Sequence, residues 1–100
     1  MSSTDILFDH VGAEKQAQAL EQLSSKMNTL SETDMETILT EINSAWKGDN
    51  ATAFLQKGDR MQQKLSDSAR RLKDIADAIR RISANIKKAE EKAAEIASNL

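Results

Sequence analysis

The chain has 100 residues and a mass of 11.1 kDa, enough for one small domain but too short for two independent cores. It contains no proline, cysteine or tyrosine, only three aromatic residues and 30% charged residues, with a net charge of −2. This composition excludes a disulfide framework and a zinc ribbon, is unsuited to a β-sandwich or barrel, and is typical of a helical protein. No stretch approaches the ~20 apolar residues of a membrane-spanning helix, so we expect no integral membrane segment.

The first half of the chain has apolar residues at helical spacing and predicts a helix over about residues 4–46. An interval of eight between Leu30 and Ile38 breaks the repeat of seven. Two interpretations compete: a stutter inside one helix, or a true break, because residues 31–36 contain two capping-box patterns. We favour one continuous helix, since neither glycine nor proline interrupts the segment.

The second half carries a far more regular repeat and predicts a long helix over about residues 51–98. Its apolar positions alternate at intervals of four and three, the a/d pattern of coiled-coil packing. A helix of this length forms a rod of about 75 Å, which needs an equally long partner. Gly58 and Ser68 are the two positions of this repeat that are not apolar. The predicted packing positions are Phe54, Met61, Leu65, Leu72, Ile75, Ile79, Ile82 and Ile86, followed by Ala89, Ala93, Ile96 and Leu100.

A short turn over residues 47–50 joins the two predicted helices. Gly48 is suited to the left-handed conformation that ends a helix, and Asp49 or Asn50 is suited to cap the next one. Two long helices joined so closely must fold back antiparallel. The sequence therefore predicts an all-α fold, with residues 1–100 as a single helical-hairpin domain.

The distribution of charge favours this pairing of the two helices. Residues 1–50 carry three basic and nine acidic side chains, whereas residues 51–100 carry eleven basic and seven acidic side chains. An acidic helix against a basic one is electrostatically favourable, although exposed pairs contribute only about 0.2–1 kcal/mol each. The alternative is that these charges form solvated faces. Both interpretations are compatible with the hairpin.

A third row of small or apolar residues lies beside the a/d repeat on the second helix. A stripe three positions wide is more than a two-helix coil needs, and it favours a bundle of more helices. We therefore expect two hairpins to dimerise into a four-helix bundle, although alanine in this row is also explained by helix propensity alone. This e row consists of Leu55, Gln62, Ala69, Ala76, Ser83, Glu90 and Ala97.

Candidate catalytic residues are scarce, so we expect neither an enzyme nor a cofactor or metal site. His10 is the one histidine of the chain, which excludes a two-histidine metal site, and no thiol nucleophile is present. The adjacent acids Glu90 and Glu91 would point apart on a helix and would not form a carboxylate pair.

Nucleic-acid binding is also disfavoured, despite basic pairs at residues 70–71, 80–81 and 87–88. Asp67 and Asp77 each precede an arginine by four residues, the spacing that favours a neutralising ion pair on a helix. The sequence pI of about 5.4 is far from the basic value expected of such proteins.

Trp46 is the only tryptophan, and it lies at the predicted end of the first helix. An indole at a hairpin tip can cover the open end of the bundle or contact a partner. Both interpretations remain open from the sequence.

The segment Trp46-Lys47-Gly48 lies mid-chain between two long helices of a cysteine-free chain, and Ala51 and Phe54 follow it. In this arrangement the whole chain resembles the WXG family of early secreted antigenic target-like proteins, which type VII secretion systems export from Gram-positive bacteria and mycobacteria. The resemblance implies a hairpin with its Trp-x-Gly turn at the tip, pairing as a homodimer or heterodimer with a similar hairpin or with a toxin's helical domain.

The resemblance also implies function and location. Such proteins leave a cytoplasmic pool without a cleaved signal peptide, through a membrane-embedded motor ATPase, and act as secreted effectors or as escorts of larger toxins. An alternative for this chain is an intracellular coiled-coil adaptor or scaffold.

The family carries a tail signal, an aromatic residue followed four residues later by an acid, near the end of the second helix. This chain departs from that pattern because no aromatic residue follows Phe54. The matching spacing is Ile86 with Glu90, which we take as the candidate export signal, and ordinary surface acidity is the alternative explanation of Glu90.

Overall fold

The computed structural model describes residues 8–100 as two antiparallel helical arms, and it confirms the prediction of an all-helical fold for that part of the chain. The N-terminal arm consists of α1 (His10–Thr29), a π-helical segment (Leu30–Met35) and α2 (Glu36–Ala45), and the second arm is α3 (Asp49–Ser98). The molecule measures 79 × 21 × 16 Å, with a radius of gyration of 22.5 Å. A compact chain of 100 residues would have a radius of gyration of about 13 Å, so the hairpin is a rod.

α1 begins at His10 because Asp9 caps it. The Asp9 carboxylate accepts a hydrogen bond of 2.8 Å from the Gly12 backbone N–H, which satisfies one of the free donors of the first turn. The predicted start near residue 4 precedes this cap, and residues 4–7 lie outside the part of the chain that the structure describes.

The eight-residue interval of the sequence falls in the π-helical segment. The backbone stays right-handed helical through both flanking residues, and neither Thr29 nor Met35 makes a side-chain capping bond. A π turn takes up one extra residue, so it keeps Ser31 and Leu39 on the same buried face although they are eight residues apart. The arm is therefore continuous, and no helix break occurs there.

The turn differs from its predicted chemistry. The N-terminal arm ends at Trp46, which is extended and donates its N–H to the Ile42 carbonyl at 2.8 Å. Gly48, with φ 96° and ψ −174°, is the N-cap of α3 rather than the residue that closes the first arm. Asp49 lies inside the first turn of α3, where its carboxylate still favours the positive end of the helix.

The two arms meet through small side chains. Ala17 on the N-terminal arm and Ala69 and Ala76 on α3 are fully buried, with 0% of each exposed. Side chains of this size let two helices approach closely, since nothing larger than a methyl group stands between them. Every residue of the e row from Leu55 to Glu90 faces the N-terminal arm and is buried or half-buried.

The a/d repeat divides into two rows with different environments. The a row, Gly58, Leu65, Leu72, Ile79 and Ile86, is half-buried beside the N-terminal arm. The d row is the more exposed of the two, and its large side chains are 47–58% exposed: Phe54, Met61, Ile75, Ile82 and Ile96. The predicted packing positions thus contribute unequally to the hairpin, and packing of the d row against another molecule stays a prediction.

Buried serines hold the register of the arms. Ser24 Oγ donates to the Ala69 carbonyl at 2.7 Å, and Ser31 Oγ donates to the Gln62 carbonyl at 2.9 Å. Gln62 Nε2 donates back to the Ser31 carbonyl at 2.6 Å. From the Ser24–Ala69 pair to the Ser31–Gln62 pair, the chain advances seven residues along the N-terminal arm and goes back seven residues along α3. One such step in the opposite direction places Ala17 level with Ala76.

An ion-pair cluster joins the arms further from the tip. Arg80 Nε is 3.0 Å from Glu14 Oε2, and Arg80 Nη2 is 2.6 Å from Glu21 Oε1. The hydrogen bonds that Arg80 donates to Glu14 and Glu21 lower the pKa of both carboxyl groups and raise the pKa of the Arg80 guanidinium. The expected complementarity between an acidic and a basic arm is realised at this point by specific contacts.

Candidate functional site

The tip of the hairpin presents two aromatic rings. Trp46, the last residue before the turn, packs against Phe54 in the second turn of α3, with ring centroids 5.6 Å apart and planes tilted by 54°. Trp46 is still 51% exposed. The indole therefore covers one side of the hairpin end and keeps the other side available for contact with a partner.

Gly48 shapes this tip through its backbone. It is the only residue with a positive φ in the described range 8–100, and a Cβ atom placed on it would meet nothing within 4 Å. Its φ and ψ lie in a region that is essentially restricted to glycine. The glycine of the Trp-x-Gly turn is thus required by backbone conformation and not by lack of space.

An apolar groove of about 290 Å³ lies beside the tip, between the two arms. Gly58 allows the arms to meet at its base, because a Cβ at this position would collide with the Leu39 side chain. The π-helical segment ends at Met35 on the groove's rim, so the extra residue of that segment helps to set its shape. The other lining residues are Ile38, Phe54, Lys57 and Met61.

The groove continues into an apolar surface along the rod. The d row forms its α3 side, and the N-terminal arm contributes exposed Leu23, Leu30 and Ile38, which are spaced seven and eight residues apart across the π-helical segment. The chain exposes 7763 Å² in all. A compact protein of this mass would expose about 5,700 Å². The rod shape accounts for the larger total area, and it is the row of exposed large apolar side chains that is characteristic of an interaction face.

The candidate export residues lie near the open end of the hairpin, opposite the tip. Ile86 is half-buried in the a row, and Glu90 Oε1 lies 2.6 Å from His10 Nε2. The sequence offered an export signal or ordinary surface acidity as explanations of Glu90, and it did not predict this bond. The signal for it was present: in an antiparallel hairpin, the lone histidine near the start of one arm falls opposite the end of the e row.

His10 also contacts Ser83, with Nδ1 at 2.7 Å from the hydroxyl. Because an ionised carboxylate only accepts, Nε2 carries the proton toward Glu90, and in the neutral ring Nδ1 accepts from Ser83. A serine, a histidine and a carboxylate in series have the same order as a hydrolase triad. Ser83, however, lies inside α3, where the nearby backbone N–H groups are used by the helix and supply no oxyanion hole. We define these three residues as the His10 clasp, which ties the first turn of α1 to α3.

The basic residues of α3 do not form a free phosphate-binding surface at residue 80, because Arg80 is held by the two glutamates of α1. Asp67 Oδ1 lies 3.8 Å from Arg70 Nη1, three residues along the helix. The sequence spacing of four residues had favoured a pair between Asp67 and Arg71 instead. Within residues 8–100, no helix combines the length and the apolar character needed to cross a bilayer.

The comparisons with known proteins add no relative. No family model, no curated protein and no solved structure matches this chain.

Proposed function

We propose that this chain is a small secreted helical-hairpin protein of a bacterial type VII secretion system. It acts as an export substrate or as the partner that escorts a larger effector. The observation that carries the proposal is the tip, where Trp46 and Gly48 form a turn between two long arms and half of the indole remains exposed. This exposed turn is suited to contact the motor ATPase, and its Trp-x-Gly pattern is the residue match on which the family resemblance depends.

The proposal includes pairing with a second hairpin to give a four-helix bundle. The d row and the exposed leucines of the N-terminal arm supply an apolar face along the rod. A homodimer, a sister hairpin and the helical domain of a toxin all offer the long apolar face that would cover it.

Light scattering at micromolar concentration tests this pairing. The expected mass of the purified chain is that of a dimer, and aspartate in place of both Ile75 and Ile82 is expected to give a monomer of unchanged helicity. Ala84→Asp is the matched control, because Ala84 is exposed on α3 outside the d row. A stable monomer in the wild type would contradict self-pairing and leave a heterologous hairpin as the partner to co-purify.

Export is tested by fractionating cells and medium, with and without deletion of the secretion ATPase. We expect the chain in the medium only when the ATPase is present. Trp46→Ala is expected to lower export while leaving the melting curve close to that of the wild type, and Glu90→Ala to lower export without loss of helicity. Val11→Ala, at an exposed apolar residue of the other end, is the control. Export that is independent of the ATPase would refute the proposal, and retention in the cell pellet would favour the intracellular adaptor.

A further inference from the structure

The apolar face near the tip has a basic edge on α3. The neighbours of Met61 three residues before it and four after it are Gly58 and Leu65, which are half-buried beside the N-terminal arm. Its neighbours four before and three after are Lys57 and Lys64, which are exposed. Because residues three and four positions apart adjoin on a helix, the two lysines border Met61 on the side remote from the other arm.

The N-terminal arm carries an acidic edge beside the same face. Around Ile38, the residues three before and four after are Met35 and Ile42, which are half-buried. The residues four before and three after are Asp34 and Glu41, which are exposed and so border Ile38 on its outer side. The apolar groove therefore lies between a basic edge and an acidic edge.

The basic edge extends along α3 as a row without acidic residues, which we call the g row. Among residues 8–100, no salt bridge involves its lysines and its arginine, or Asp34 and Glu41 on the other edge. These charges are therefore available to another molecule. The g row occupies every seventh position beside the d row and consists of Asn50, Lys57, Lys64, Arg71, Ala78, Asn85, Lys92 and Asn99.

A second copy can cover this face in two ways, each related by a twofold axis. With the axis along the rods, the tips lie at the same end, and α3 of each copy packs on the N-terminal arm of the other. With the axis across the rods, the tips lie at opposite ends, and each arm packs on its own counterpart.

The charged edges favour the first arrangement. It brings the g row of one copy beside Asp34 and Glu41 of the other, at matching heights because Ile38 and Lys57 line the same groove. The second arrangement brings two g rows together, each with four bases and no acid to compensate them. Like charges placed side by side oppose association, so they disfavour the second arrangement.

The apolar residues of the two arms are centred at different heights, which also favours the first arrangement. The residues that the N-terminal arm contributes to the apolar surface centre on Leu30, next to Ser31, whose hydroxyl donates to the Gln62 carbonyl. The d row centres on Ile75, about 20 Å further from the tip. An axis across the rods crosses both arms at one height and cannot be central to both. An axis along the rods has no such conflict, because every residue meets the partner at its own height.

We propose that this chain pairs with a second copy of itself with both tips at the same end, α3 of each copy lying on the N-terminal arm of the other. Self-pairing rests on the proposed function, whereas the orientation goes beyond it. The apolar face supplies the affinity and the charged edges select the orientation, because exposed ion pairs add little to affinity. Both copies of Trp46 then lie at one end of the bundle, where a single partner can contact both tips.

Pulsed electron paramagnetic resonance measures the orientation, with one spin label per chain on an introduced cysteine. The chain has no cysteine of its own, and Ala53 and Ala94 are exposed near the tip and near the open end. With both tips at the same end, Ala53→Cys and Ala94→Cys each give a distance within the section of two stacked hairpins, less than about 40 Å. With the tips at opposite ends, at least one of the two distances exceeds about 60 Å wherever the axis crosses the rods.

Charge reversal tests the two edges, with the dimer followed by analytical ultracentrifugation over a dilution series. Lys57→Glu with Lys64→Glu is expected to raise the dissociation constant about tenfold or more, because ion pairs on both sides of the dimer are replaced by repulsion. Asp34→Lys with Glu41→Lys is expected to have the same effect. Mixing the two variants is expected to restore pairing, since an all-acidic pair of edges then meets an all-basic one.

Arg60→Glu with Arg81→Glu is the matched control, because both arginines are exposed on α3 outside the g row and the change in net charge is the same. Unchanged or tighter pairing of the lysine variant, or a label distance above about 60 Å, would overturn the orientation and leave self-pairing in place. A monomeric wild type would overturn both. A dimer with both tips at one end together with ATPase-independent export would support this inference and refute the proposed function, so the failures are distinct.

Discussion

Replacing Ala76 by leucine tests whether the e row is the contact surface between the arms. Ala76 is fully buried and lies level with the fully buried Ala17, so three added carbon atoms have no space between the helices. Overpacking of this kind costs about 1–3 kcal/mol. For a domain of this size each kcal/mol lowers the melting temperature by about 4–8 °C, so we expect a decrease of roughly 4–24 °C.

The control is Ala84→Leu, the same substitution on the same helix at an exposed position. It should change the free energy of unfolding by no more than about 0.5 kcal/mol, because it meets solvent and not the other arm. Urea unfolding followed by circular dichroism measures both variants, at one fixed protein concentration because association adds to apparent stability. If Ala76→Leu were as stable as Ala84→Leu, the arms would not meet through the e row.

Two further substitutions test other parts of the hairpin. Gly48→Ala is expected to destabilise the fold by about 1–3 kcal/mol in the same urea assay. There is room for a methyl group at this position, but a backbone with φ 96° and ψ −174° suits only glycine. An unchanged unfolding midpoint would mean that the turn relaxes without cost. Arg80→Gln is expected to flatten the pH dependence of the free energy of unfolding. In the wild type, Arg80 lowers the pKa of Glu14 and Glu21, so the two ionised carboxylates stabilise the fold above about pH 4.5. This contribution is lost as the pH falls and the glutamates take up protons. Equal slopes for wild type and Arg80→Gln between about pH 6 and 3 would refute that linkage.

The sequence was sufficient for the helical class of the described chain and the reversal near Gly48. Both follow from local information: the periodicity of apolar residues, the absence of proline, and the glycine and helix-capping residue types at the turn. The eight-residue interval also marked the right place for an irregularity. It did not specify its form, because a π turn, a stutter and a capped break all have similar local sequence requirements, and the choice depends on which residues must stay on the buried face.

Only the tertiary structure decided which of the three rows of α3 faces the other arm. All three rows are compatible with burial, and the sequence marks the d row with the largest side chains. The e row lies inside instead, because small residues on both arms allow a close approach that bulky d-row side chains would prevent. The clasp and the Arg80 cluster escaped prediction for a related reason: their partners are 59–80 residues apart in the chain, and a contact over that distance is set by the register of the arms.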